Sequence, residues 1–175
     1  MKIKYKNIII FTFILFACQL MGQNSWKSLI LPGLGENTLG LTGQSTKFMV
    51  AEASIWLCYF TFGDLGESYE NDFRNHGIMH AEVNWDDKDD RFAANVGNYN
   101  SLQEYNEIKA RDFLYNDMYP TDGNIDYNWN WESRKERLKY DTWRNKSKNY
   151  SEIKGFLVAG MLLNRLISII DVTEI

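Results

Sequence analysis

Residues 48–62 read FMVAEASIWLCYFTF, with Lys47 before them and one acid, Glu52, inside the run. No proline interrupts residues 47–83. A proline-free apolar run favours a helix, because proline removes an N–H and clashes with the preceding turn. Beyond Gly63 and Asp64 the composition turns polar, yet Tyr69, Phe73, His76, His80 and Val83 recur at spacings of four and three. That recurrence is the stripe of a helix. The spacing predicts one long helix from Lys47 to about Val83, bent at Gly63 or Gly66. Gly77 is its weak point, since glycine lowers helix stability.

The natural partner is residues 155–170, GFLVAGMLLNRLISII, inside a second proline-free stretch from Trp131 to Asp171. At about 1.5 Å per residue, a helix over that whole stretch outreaches a bilayer. Arg144, Lys146, Lys148 and Lys154 precede its apolar part, and Asp171 and Glu174 follow it. The first helix has the opposite pattern, with Lys47 before its apolar part and Asp64, Glu67, Glu70 and Asp72 after it. Laid antiparallel, the two sets of charges meet as opposites. Gly160, Asn164 and Ser168 stand four apart, a small and polar stripe of the kind that lets helices pack closely in membranes. Ala51, Ser54 and Cys58 are the small residues that the first helix offers in return. Glu52 and Arg165 are unfavourable if left to face lipid, so a Glu52–Arg165 or Glu52–Asn164 contact is expected. Each apolar run is shorter than the roughly 20 residues of a usual spanning helix. Spanning helices and two buried helices of a soluble domain both fit.

Upstream, Lys2, Lys4 and Lys6 form a basic start, followed by the apolar run IIIFTFILFA and then CQLMGQN. This is the pattern of an export signal. Cleavage after Gly22 starts the mature chain at Gln23, giving a signal peptide over 1–22 and a single helical domain over 23–175. A lipoprotein signal ending at Cys18 is the rival reading. Residues 25–46 are expected to form a short helix, a kink at Pro32-Gly33 and a glycine-spaced loop. The lysine and hydroxyl residues there do not fall in phosphate-loop spacing.

Between the apolar helices lies a polar region, residues 64–154. Residues 84–100, NWDDKDDRFAANVGNYN, read as a loop. Ser101 with Glu104 matches a capping box, opening a helix that ends near Tyr119. Residues 121–130 read as a turn-rich connection.

Composition bounds the function. With 45% hydrophobic and 15% aromatic residues the chain can fill a core. Removing residues 1–22 takes away three lysines and no acids, so Lys+Arg falls from 19 to 16 against 23 acids, giving −7. An acidic mature chain argues against nucleic acid as a partner, since phosphate neutralisation needs a basic face. Cys58 would then be the one remaining cysteine, and its apolar surroundings read as core packing.

Several groups invite a chemical reading. Asp122, Asn124 and Asp126 alternate as the oxygen ligands of calcium loops do, although Tyr127 stands where a glycine is expected. Trp129 and Trp131 can form a stacking platform for a cell-wall glycan. His76 and His80, four apart on one helix face, have the spacing of two metal ligands, but HGIMH lacks the glutamate of a zincin. No third ligand is set by spacing, and core histidines are the preferred reading. No Ser-His-Asp or Cys-His arrangement is supported, and no cofactor is called for.

The order SLILPGLGE, MVAEASIW, a polar middle with WNWES and NYSEIKGF, and a final LLNRLISIID resembles a family of bacterial envelope proteins. That family has a leader and an LLPGxGQ-type hairpin and is classed as a domain of unknown function. The likeness is closest at the hairpin and the two apolar helices. Where the pattern usually has Gln, this chain has Glu36. The resemblance implies a Gram-negative envelope and membrane association, and no reaction.

The expectation is a mostly α protein with two long antiparallel helices under a polar helical cap. It is read as exported, membrane-associated and non-enzymatic, a structural or scaffold protein of the cell envelope with the membrane and other envelope proteins as partners. The alternative is a module binding calcium or cell-wall glycan.

Overall fold

The computed structural model describes residues 25–122 and 125–174. The signal-peptide and Cys18 readings concern residues outside that range. Every regular element among the described residues is helical. These are α1 (Ser25–Ile30), α2 (Leu34–Thr38), α3 (Thr42–Ala81), α4 (Asp90–Asn98), α5 (Leu102–Arg111), a 3-10 turn (Tyr115–Asp117) and α6 (Arg134–Thr173). The chain divides into two compact units, Met1–Phe60 with Lys154–Ile175, and Thr61–Ile153. Both divisions fall inside a long helix, close to the ends of the two apolar runs.

The long helices α3 and α6 have 40 residues each. Along α3 the buried or half-buried positions Ser45, Glu52, Tyr59, Gly66 and Phe73 are seven apart. Along α6 the same step links Tyr140, Ser147, Lys154, Met161 and Ser168. A seven-residue repeat keeps one narrow seam on a helix turned toward a partner. In the first unit Glu52 meets Arg165 and Tyr59 meets Lys154. In the second, Gly66 meets Ser147 and His76 meets Glu136. In each unit the partner's number falls as the α3 number rises, so the helices pack antiparallel.

The first unit opens with α1 and α2, joined through Gly33. Its φ of 93° is left-handed, and a Cβ there would stand 2.5 Å from Ser45 O. Glycine is therefore required. The loop expected before the long helix is partly helical, and α3 starts at Thr42 rather than Lys47. Gly40, with φ 80°, makes the break, and Gly43 is absorbed into the helix.

The second unit has a conventional core. Phe73, Val83, Phe92, Val96, Tyr105, Trp129, Trp131 and Tyr140 are buried together. Tyr140 is fully buried, stacks on Trp85, meets Phe73 edge-on and donates to Ala93 O at 2.9 Å. Gly77 sits in α3 because its missing side chain makes room for these rings. A Cβ there would lie 3.1 Å from Trp85 and 3.4 Å from Tyr140.

Residues 84–100 are not all loop. Asp89 caps α4 by accepting from Phe92 N, and Asp90 occupies its first turn. The aspartate cluster that reads as a solvated loop is in part a helix start, where carboxylates satisfy free N–H groups. Ser101 caps α5 by accepting from Glu104 N at 3.1 Å, and Glu104 accepts in return from Asn100 N. This helix stops at Arg111 rather than near Tyr119, because Phe113 turns to a left-handed φ of 59° and a 3-10 turn follows. Segment 129–132 closes the unit. Asn130 N donates to Ala81 O and Glu132 N to His80 O, pairing carbonyls that the end of α3 leaves free.

Candidate functional site

In the first unit several polar groups point inward. Glu36 and Ser28 are fully buried, as is Ser168 on α6. The Ser28 hydroxyl donates to Glu36 Oε2 at 2.9 Å, and the Ser168 hydroxyl donates to Glu36 Oε1 at 2.7 Å. Each hydroxyl then accepts a backbone N–H, from Gly35 at 3.1 Å and from Gly33 at 3.0 Å. Each hydroxyl thus both donates and accepts, and α1, α2 and α6 are tied at one carboxylate.

A second cluster centres on Glu52, which is 3% exposed. Its Oε1 accepts from Arg165 Nη2 at 2.6 Å and from Trp56 Nε1 at 3.2 Å. Its Oε2 accepts from Asn164 Nδ2 at 3.0 Å, which also donates to Phe48 O at 3.2 Å. The structure thus brings Glu52, Asn164 and Arg165 into one cluster, and adds Trp56. Gly160 and Ser168 share the packed face of α6, where Ile55 lies 3.9 Å from the position of a Gly160 Cβ.

The facing residues expected on α3 are different. Ala51 and Ser54 are exposed, and Ser54 bonds its own helix at Val50 O. The contact with α6 runs through Glu52 and Ile55, on the face that Ser45, Glu52 and Tyr59 mark at steps of seven. The flanking charges also act differently from expectation. Arg144 pairs with Asp141 and Glu70 with Arg74, each within its own helix. Lys146 lies over the Tyr69 ring and Lys154 over the Tyr59 ring. These cations meet the facing helix through aromatic faces, an attraction of about 0.5–1 kcal/mol at exposed sites.

The glycan platform is corrected by burial. Trp129 is 0% exposed and Trp131 6%, and their indole N–H groups donate to Tyr99 O and Val96 O. Neither ring has a free face to stack on a sugar. Asp122 and Asp126 are exposed, and Asp126 Oδ1 accepts from Asn128 N at 2.8 Å, a local turn bond. Asn124 lies outside the described residues. His76 and His80 sit side by side near the end of α3, with ring centroids 4.4 Å apart. Burial and the neighbouring His80 hold the His76 pKa below the ordinary histidine value.

Sequence reasoning missed the Glu36 cluster. The available signal was a lone acid between two glycines, in a segment otherwise without charge from Leu29 to Thr46. Comparison with family models, curated proteins and solved structures found no match for this chain.

Proposed function

We propose that this chain is a non-enzymatic structural or scaffold protein of a bacterial cell envelope, held at a membrane by its two long helices. The observation that carries this reading is the burial pattern of the first unit, which is inverted relative to a water-soluble core. Both long helices contain an 18-residue stretch apolar enough to cross a membrane, and only 6% and 22% of those stretches is buried. A core helix of a soluble domain is mostly covered by its own fold. Here Phe60, Phe156, Leu162, Leu163, Leu166 and Ile170 are exposed, Phe156 by 76%. Glu36, Ser45, Glu52 and Ser168 lie inside, beside Met161, Ile169 and Val172.

Each large apolar side chain moved from water to hydrocarbon gains about 1.5–3 kcal/mol. Contiguous apolar surface of this kind marks a membrane or partner site on a soluble protein. Polar groups turned inward and paired, as at Glu36 and Glu52, are what a hydrocarbon surround demands. The second unit, with its aromatics inside and its charges outside, then offers the water-facing surface to other envelope proteins. The likeness of the LPGLGE hairpin to envelope proteins supports the address.

The test is fractionation of cells expressing the full chain, followed by a carbonate wash of the membranes. Retention in the pellet is expected. Release into the wash would mean the exposed apolar faces are covered by protein, and would overturn the membrane reading.

A further inference from the structure

We propose that His76, His80 and Glu136 form a binding site for one divalent transition-metal ion of the zinc class, linking the end of α3 to the start of α6 inside the second unit. One donor atom of each of the three residues lies within 4.8 Å of the other two. His76 Nε2 stands 3.1 Å from Glu136 Oε2. Two ligands at about 2.0–2.1 Å from one tetrahedral zinc are themselves about 3.3–3.4 Å apart. An ion therefore enters between these atoms with a shift of a few tenths of an ångström. His76 Nε2 also lies 3.2 Å from the Glu136 backbone carbonyl, so the metal-free imidazole carries its one proton on Nε2. To ligate, that proton moves to Nδ1, the other neutral tautomer, and the Nε2 lone pair faces the ion.

The second histidine is already oriented. His80 Nδ1 lies 2.9 Å from Glu132 Oε2. A carboxylate accepting from Nδ1–H fixes the tautomer that leaves the Nε2 lone pair for a metal, the usual support of a ligating histidine. Glu132 thus acts through His80. The pattern in the chain is His-x3-His on one helix opposite Glu-x3-Glu at the start of the other. Ring packing against Trp131 and Trp143 accounts for the burial of His76. It does not account for a carboxylate opposite each ring.

The charges suit a cation. Glu132 and Glu136 face two imidazoles, and Lys139 is the nearby opposing charge. Two imidazole nitrogens and a carboxylate fit zinc better than calcium or magnesium, which take oxygen sets. His76 is 2% exposed, but the side chains of Glu136 and His80 are 20% and 32% exposed. The ion has a way in from that side, and water can complete its coordination.

The untagged full chain in detergent, stripped with a chelator, is titrated with zinc by calorimetry and with cobalt(II) by visible absorption. The expected result is one ion per chain, a raised melting temperature and the visible bands of tetrahedral cobalt. Glu136→Gln and His80→Gln each weaken binding at least tenfold, whereas Glu174→Gln leaves it unchanged. Absence of saturable binding, or binding that both substitutions leave intact, overturns the proposal. Circular dichroism checks that the variants keep their helix content. If either unfolds, the wild-type cobalt spectrum decides alone, and a spectrum without nitrogen ligation counts against the site.

Discussion

Arg165 Nη2 lies 2.6 Å from Glu52 Oε1, with the glutamate 3% exposed and the arginine side chain 24%. Asn164 and Trp56 donate to the same carboxylate. The cluster fixes which residues of α3 and α6 meet in the first unit, because a slip of one residue would leave the charges unpaired in an apolar surround. Removing one partner of a buried pair strands the other, at a cost of about 3–5 kcal/mol. Glu52→Leu is therefore expected to lower the thermal midpoint in detergent markedly. Replacing both Glu52 and Arg165 by Leu is expected to recover most of that loss, since an apolar pair of similar volume is often neutral. A Glu52→Leu protein that melts like the wild type would show that the pair contributes nothing.

Glu36 makes a sharper demand. Both of its oxygens accept, one from each serine hydroxyl. In Glu36→Gln one oxygen becomes an NH2 group, which must find an acceptor where a donor now points. The expected loss is about 1 kcal/mol, the scale of one hydrogen bond. Glu36→Leu leaves two buried hydroxyls without their acceptor, at about 1–3 kcal/mol each, and is expected to be clearly the worse of the two. Thermal unfolding of both variants, followed by circular dichroism, checks the order. Equal midpoints would mean that the serines pair elsewhere.

What the sequence made legible was long-range and periodic. Two proline-free runs gave the two long helices, and the requirement that Glu52 avoid lipid pointed to Asn164 and Arg165. The less legible features were set by tertiary packing. The seam on α3 follows steps of seven through Ser45, Glu52 and Tyr59, and a search for small residues three and four apart picks Ala51, Ser54 and Cys58 instead. Residues 90–98 form a helix because Asp89 caps it and Phe92 and Val96 reach the aromatic core. The run of aspartates hides both facts from a composition reading. Trp129 and Trp131 read as a platform because a turn-rich segment is usually exposed. This one is drawn inward by the free carbonyls at the end of α3. Glu136 opposite His76 depends on the register of two helices sixty residues apart in sequence, which spacing alone does not give.

Tyr140 provides the test of the second unit. It is fully buried, and its hydroxyl donates to Ala93 O at 2.9 Å. Desolvation pushes its pKa well above the ordinary tyrosine value, and Tyr105 and Tyr119 are raised for the same first reason. The sign follows from proton binding. Below about pH 10 tyrosine is protonated in both the folded and unfolded chain, so the contribution is fully present. Above that pH the unfolded chain releases the proton while the folded one retains it, and stability falls as pH rises. Tyr140→Phe keeps the ring stack and loses the hydroxyl, leaving Ala93 O buried without this donor. At neutral pH the variant is expected to be less stable by about 1–3 kcal/mol. Between pH 10 and 12 the wild type is expected to lose stability more steeply, so the two curves converge, while Tyr105 and Tyr119 leave the variant with a residual slope. Urea unfolding followed by tryptophan fluorescence across that range measures both curves. Parallel curves would mean that the Tyr140 hydroxyl ionises as readily in the folded protein as in the unfolded chain.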